Sequence, residues 1–180
     1  MVDIRTQPLT ILDHSRDNAG LIYVYPVISR RAGGVSVGIN LNINNACNWR
    51  CIYCQVPGLR RGAPPPVDLP ALRSELSEFL QDVLKGDFFA TRVAEGARRL
   101  NDIALSGNGE PTSAKEFEQV IDLIDDVRRH AGVPEAVKTV LITNGSLMQR
   151  DGVRRGVKKL AALNGEVWFK LDRATDSGMR

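Results

Sequence analysis

Apolar positions along the chain switch between two periods. Residues 35–42, Val-Ser-Val-Gly-Ile-Asn-Leu-Asn, alternate apolar with small or polar side chains, the pattern of a strand with one buried face. Further on, Leu72, Leu76, Phe79, Leu80, Val83 and Leu84 recur at helical spacing. Asp68 is placed to cap that helix, Pro70 falls in its first turn and Gly86 suits its end. Residues 87–100 have no clear period, and a short helix over 89–99 is expected. Residues 102–106 predict a short buried strand. Ser113 and Glu116 have capping-box spacing ahead of a helix with Phe117, Val120, Ile121, Ile124 and Val127 on one face, stopping near Gly132. A third strand is expected over 139–143, a weaker helix through Val153, Val157, Leu160 and Ala161, and a fourth strand over 167–171. Upstream, residues 21–28 are β-branched and aromatic, but Pro26 confines them to an edge or a bend.

Strand and helix therefore alternate from residue 35 onward, which predicts stacked βαβ units and a parallel sheet. The expected organisation is a leader with an edge strand over 1–34 and an α/β core over 35–180. In such sheets ligands bind beyond the C-terminal ends of the strands. Each strand here ends in polar loop residues: the cysteines after the first, Gly107–Thr112 after the second, Thr143-Asn144-Gly145 after the third and Asp172 after the fourth.

All three cysteines stand in one short run, Cys47-Asn-Trp-Arg-Cys51-Ile-Tyr-Cys54. Three thiolates are one short of a closed tetrahedral site, so a metal centre held this way keeps a coordination position open. Sulfur ligands suit an iron–sulfur cluster or zinc. Zinc would need a fourth ligand, and the only histidines are His14 and His130. Clustered cysteines without a fourth partner make a poor disulfide framework, which fits a reducing cytoplasm.

The cysteine spacing after a strand resembles the signature of the radical S-adenosylmethionine (radical SAM) superfamily. The resemblance runs from about Val35 to Asp172. It implies a 4Fe–4S cluster with three irons on Cys47, Cys51 and Cys54 and the fourth iron left for the amine and carboxylate of SAM. It also implies that Tyr53 lies against the SAM adenine. Gly107-Asn108-Gly109-Glu110-Pro111 is similar to the superfamily's Gly-Gly-Glu-Pro stretch, with Asn108 in place of a glycine, and implies contacts to the methionine ammonium. Asn144 is implied as a cofactor or substrate contact, and Lys170 and Asp172 as contacts to the SAM ribose and carboxylate. The fold implied is a partial (βα)n barrel. Six such units make up the superfamily's core and about four are found here, so the chain is expected to be a fragment or to be completed by a partner, with weak solubility and incomplete SAM binding.

The activity so implied is reductive cleavage of SAM to a 5′-deoxyadenosyl radical, with an external one-electron donor of flavodoxin or ferredoxin type. The Ser-Gly-Asn-Gly-Glu-Pro-Thr loop most resembles the wyosine-base-synthesis subgroup, which acts on a guanosine in tRNA. Net charge is +3, but only six of the 24 basic residues are lysine. Arginine pairs such as Arg60-Arg61 suit a phosphate-bearing substrate or RNA. The chain shows no apolar run long enough to span a membrane, and no membrane partner is expected. The alternative reading is a non-catalytic iron–sulfur or zinc module for electron transfer or structural support.

Overall fold

The structure is a computed structural model that describes residues 8–10, 20–29 and 33–170. Its strands are β1 (Val24–Ser29), β2 (Gly34–Ile39), β3 (Ala46–Cys47), β4 (Arg60–Arg61), β5 (Leu100–Leu105), β6 (Lys138–Thr143) and β7 (Gly165–Phe169). Its helices are α1 (Leu69–Lys85), α2 (Phe88–Arg92), α3 (Phe117–Ala131) and α4 (Asp151–Leu160).

Five strands form one sheet in the order β1-β2-β5-β6-β7, and β3 pairs with β4 apart from it. The pairs from β2 to β7 are parallel. The upstream edge strand adds a different pairing: β1 runs antiparallel to β2, from Val24 opposite Ile39 to Ser29 opposite Gly34. The reason is chain length. A parallel neighbour needs a crossover of a dozen or more residues, whereas the link from Ser29 to Gly34 is only long enough for a hairpin. The architecture is thus α/β with a mixed sheet that is open among the described residues, and no barrel closure is seen.

Right-handed crossovers that step one way across a sheet put every helix on the same face. Helices α1, α3 and α4 pack side by side in that layer. Val35, Val37, Ile39, Ile103, Leu105 and Leu141 join Leu72, Leu76, Leu80, Phe117, Ile121 and Ile124 there in one buried cluster. Strand alternation sends Ser36, Gly38, Asn40, Asp102, Ala104 and Ser106 to the opposite face.

The Asp68 carboxylate accepts from the Ala71 N–H at 3.0 Å, capping α1 as expected. Gly132 takes a left-handed conformation (φ 72°) and closes α3. The capping box expected from Ser113 and Glu116 does not form. Residues Pro111–Ser113 make a 3-10 turn, and the Ser113 hydroxyl donates back to the Glu110 carbonyl at 2.5 Å.

One carboxylate fixes the start of β1. Glu75 on α1 accepts from three successive backbone N–H groups, Ile22 at 2.8 Å, Tyr23 at 2.8 Å and Val24 at 3.2 Å. Glu75→Ala removes the acceptor of all three and is expected to cost about 1–3 kcal/mol. Hydrogen exchange should show lost protection at residues 22–24 while α3 stays protected. Unchanged protection there would refute the role.

Candidate active site

After β2 the chain enters an asparagine-rich turn whose amides tie the cysteine loop together. Asn42 Nδ2 donates to the Ala46 carbonyl at 2.8 Å, and Asn44 Nδ2 to the Ala63 carbonyl at 3.1 Å. Asn45 Nδ2 donates to the Pro57 carbonyl at 3.0 Å from a left-handed backbone (φ 56°) that asparagine tolerates. The short β3–β4 pair sets Cys47 opposite Arg61 and closes the base of a loop that carries Cys51 and Cys54. All three thiols are free. Cys47 and Cys51 are half-buried and Cys54 is exposed.

The loop after β5 docks directly on this turn. Built onto Gly109, a Cβ would lie 2.4 Å from the Ala46 carbonyl and 2.5 Å from Asn42 Nδ2, so only glycine lets the two loops meet. Asn108 does more than preserve the shape of a glycine. Its backbone N–H donates to Asn40 Oδ1 at 3.0 Å and its side chain to Asn45 Oδ1 at 2.7 Å, both in the cysteine turn.

Glu110 has a role the sequence did not suggest. It is 3% exposed. Oε1 accepts from the Thr112 N–H (3.2 Å), the Thr112 hydroxyl (2.6 Å) and the Thr143 hydroxyl (2.6 Å), and Oε2 from the Asn144 N–H (2.7 Å). The carboxylate therefore joins the end of β6 to the end of β5, with acceptor capacity left only on Oε2. From Asn144 the links continue into the cysteine loop. Asn144 Nδ2 donates to Asn48 Oδ1 at 3.0 Å, and Asn48 Nδ2 to the Ser146 hydroxyl at 2.7 Å.

These loops surround a cavity of about 580 Å³, within the usual range for small-molecule sites, roughly 300–1,000 Å³. Cys47, Cys51, Cys54 and Tyr53 line one side. Gly107, Asn108, Gly109 and Glu110 line another, with Asn144 and Lys170 beside them. Lys170 Nζ stands over the Tyr53 ring, 6.0 Å from its centroid. Asp172 lies outside the described residues. Sequence reasoning missed Ser106, which lines the cavity from β5 and shares a 2.7 Å hydrogen bond with the Tyr25 hydroxyl. Strand alternation was the available signal. On the same face and deeper along the sheet, Ser36 donates to Asp102, whose burial pushes its carboxyl above the usual range against that bond. Arg60 and Arg61 are exposed on β4 and are not among the residues that line the cavity.

The donor set bears on the metal. Among the described residues no three His, Cys, Asp or Glu groups converge tightly enough to hold one ion. A cluster asks for something else, since each sulfur binds a different iron and the ligands spread around it. Three free thiols lining one cavity, with no fourth His, Cys, Asp or Glu grouped with them among the described residues, fit that requirement better than a zinc site.

No protein-family model and no solved structure matches the chain. A GTP 3',8-cyclase of Photorhabdus laumondii is 31% identical over 128 residues, covering 70% of this chain and 32% of the cyclase. A GTP 3',8-cyclase of Stenotrophomonas maltophilia is 31% identical over 113 residues, covering 62% of this chain and 28% of the cyclase. GTP 3',8-cyclase is a radical SAM enzyme. These partial matches support the radical SAM superfamily. They do not support the wyosine subgroup suggested by the Gly107–Thr112 loop. A GTPase Obg of Brachyspira hyodysenteriae is 26% identical over 129 residues, 72% of this chain and 16% of that protein. The chain thus spans a third or less of the curated relatives it matches. No described helix is long and apolar enough to cross a membrane.

Proposed function

We propose that the chain carries the cofactor half of a radical SAM enzyme. The observation that supports this best is convergence: cysteines, glycine loop, Asn144 and Lys170, far apart in sequence, line one cavity. A 4Fe–4S cluster held by Cys47, Cys51 and Cys54 would leave one iron free of protein sulfur and would supply the electron for reductive cleavage of SAM and hydrogen-atom abstraction from substrate.

The chain's own residues bind and orient. Cys47, Cys51 and Cys54 offer the three thiolates, and the β3–β4 pair with the asparagine turn holds their loop in place. Tyr53 presents a ring face suited to an adenine. The backbone at Gly107 and Gly109, which carry no side chain, receives the polar end of SAM, and the spare acceptor capacity of Glu110 suits its ammonium. Lys170, with Asp172 just beyond it in sequence, is proposed to meet the carboxylate and ribose. Asn144 bridges the cavity and the cysteine loop. Arg60-Arg61 aside, a guanosine-type substrate is the class proposed, because the named relatives act on GTP and the resembled subgroup acts on guanosine in tRNA.

Cys51→Ala should remove iron from the anaerobically reconstituted protein and end production of 5′-deoxyadenosine from SAM. Full iron content and turnover in that variant would overturn the proposal. Iron retained by the parent chain with no effect of SAM would favour the non-catalytic module instead.

A further inference from the structure

Strand β1 lies outside the parallel part of the sheet, yet one of its side chains reaches toward the cavity. Tyr25 stands opposite Gly38 of β2, and its ring lies across that glycine. Built onto Gly38, a Cβ would fall 2.2 Å from the ring's Cζ and 2.5 Å from both Cε atoms, so only glycine leaves the ring this path. The phenol thus crosses β2 and meets the Ser106 hydroxyl, just past the end of β5, at 2.7 Å. Ser106 is itself fixed to the sheet, its N–H donating to the Ile39 carbonyl at 3.1 Å.

Burial decides which hydroxyl donates. Tyr25 is 4% exposed, and Ser106 Oγ is the one partner its hydroxyl has among the described residues. A buried O–H without an acceptor is costly, so the phenol donates and Ser106 Oγ accepts. The Ser106 proton is then left without a protein acceptor among the described residues, and Ser106 lines the cavity. Beside it stands Ile142, one step beyond the Leu105–Leu141 pairing and also in the cavity wall. The SAM contacts proposed above use Tyr53, Gly107, Gly109, Glu110 and Lys170, which leaves this floor of one directed donor and one aliphatic side chain for the substrate.

We propose that Ser106 reads the substrate base, donating its hydrogen bond to the carbonyl oxygen of a guanine-type ring that rests against Ile142. Tyr25 is a positioning residue, because it acts through Ser106 and fixes the serine as donor. The inference rests on the function proposed above. Adenine presents an amino group where guanine presents its carbonyl oxygen. If Ser106 accepted from that amino group, its own proton would be left unpaired in a filled cavity, and a site that strands a buried donor discriminates against the ligand that does so.

The test uses the anaerobically reconstituted full chain with SAM present, and GTP and ATP as probes, each Kd measured by titration calorimetry. The parent should prefer GTP by about tenfold. Ser106→Ala should weaken GTP binding by about that factor and ATP binding far less, so that the preference disappears. Tyr25→Phe keeps the ring over Gly38 but frees the serine to turn, and should narrow the preference roughly threefold. Both variants losing GTP and ATP affinity alike is the mark of a merely structural pair and overturns the inference. So does a parent that binds the two nucleotides equally or binds neither, and so does a Ser106→Ala variant that loses affinity for SAM instead of GTP. The same samples keep the two readings apart. A reduced-cluster resonance that responds to SAM in a parent without nucleotide preference leaves the proposed function standing and removes only the Ser106 contact. A nucleotide preference lost in Ser106→Ala, in a parent that takes up no iron, does the reverse.

Discussion

Glu110→Ala should destabilise the protein by about 3–5 kcal/mol, because it strands buried donors that cannot reach water. The Thr112 and Thr143 hydroxyls can rotate toward other acceptors. The N–H groups of Thr112 and Asn144 cannot, and each unsatisfied buried donor costs about 1–3 kcal/mol. For a chain of this size that corresponds to a fall in melting temperature of roughly 10 °C. Glu110→Gln keeps the shape but turns one acceptor into a donor, so it should lie between the parent and the alanine variant. The loss should also be local in character. Without the carboxylate, β6 and the loop after β5 are no longer tied, and through Asn144 and Asn48 the cysteine loop loosens with them. Thermal denaturation of the three proteins checks the ranking. An alanine variant within 1 kcal/mol of the parent would show that the carboxylate does not hold the site together.

Gly109→Ala should have the second large effect. Its Cβ would meet the Ala46 carbonyl at 2.4 Å, one residue before Cys47, so the obstruction is backbone and cannot swing aside. Overpacking of this kind costs about 1–3 kcal/mol. The more telling result is functional: displacing residue 46 moves Cys47, and iron uptake on reconstitution should fall well below that of the parent. Gly96→Ala is the control, since a Cβ there meets nothing within 4 Å. If Gly109→Ala takes up iron as the parent does, the two loops do not depend on each other as described.

Much of the site was legible in the sequence because its residues lie in short runs at strand ends. Alternation located β2, short apolar runs located β5, β6 and β7, and the rule that parallel strands gather their C-terminal ends on one edge grouped the loops of Cys47, Gly109 and Asn144. What connects them was not legible. The bonds of Glu110 run to Thr143 and Asn144, more than thirty residues away, and a side chain's direction across two loops leaves no periodic trace. The density of asparagines from 40 to 45, just before Cys47, is itself a signal that side-chain amides fasten that loop. Ser113 misled for a related reason. Its spacing to Glu116 suits a cap, but the 3-10 turn set by Pro111 and the Glu110 hydrogen bonds turns its hydroxyl the other way. The antiparallel β1 was a matter of counting: the link to β2 is too short for a crossover.

The most direct measurement is electron paramagnetic resonance of the anaerobically reconstituted, dithionite-reduced protein, recorded with and without SAM. The account predicts the signal of a reduced 4Fe–4S cluster that shifts when SAM is added, since three protein thiols leave one iron open to it. A reduced-cluster signal unchanged at saturating SAM, in a chain extended to the length of the cyclases it resembles, would contradict the account.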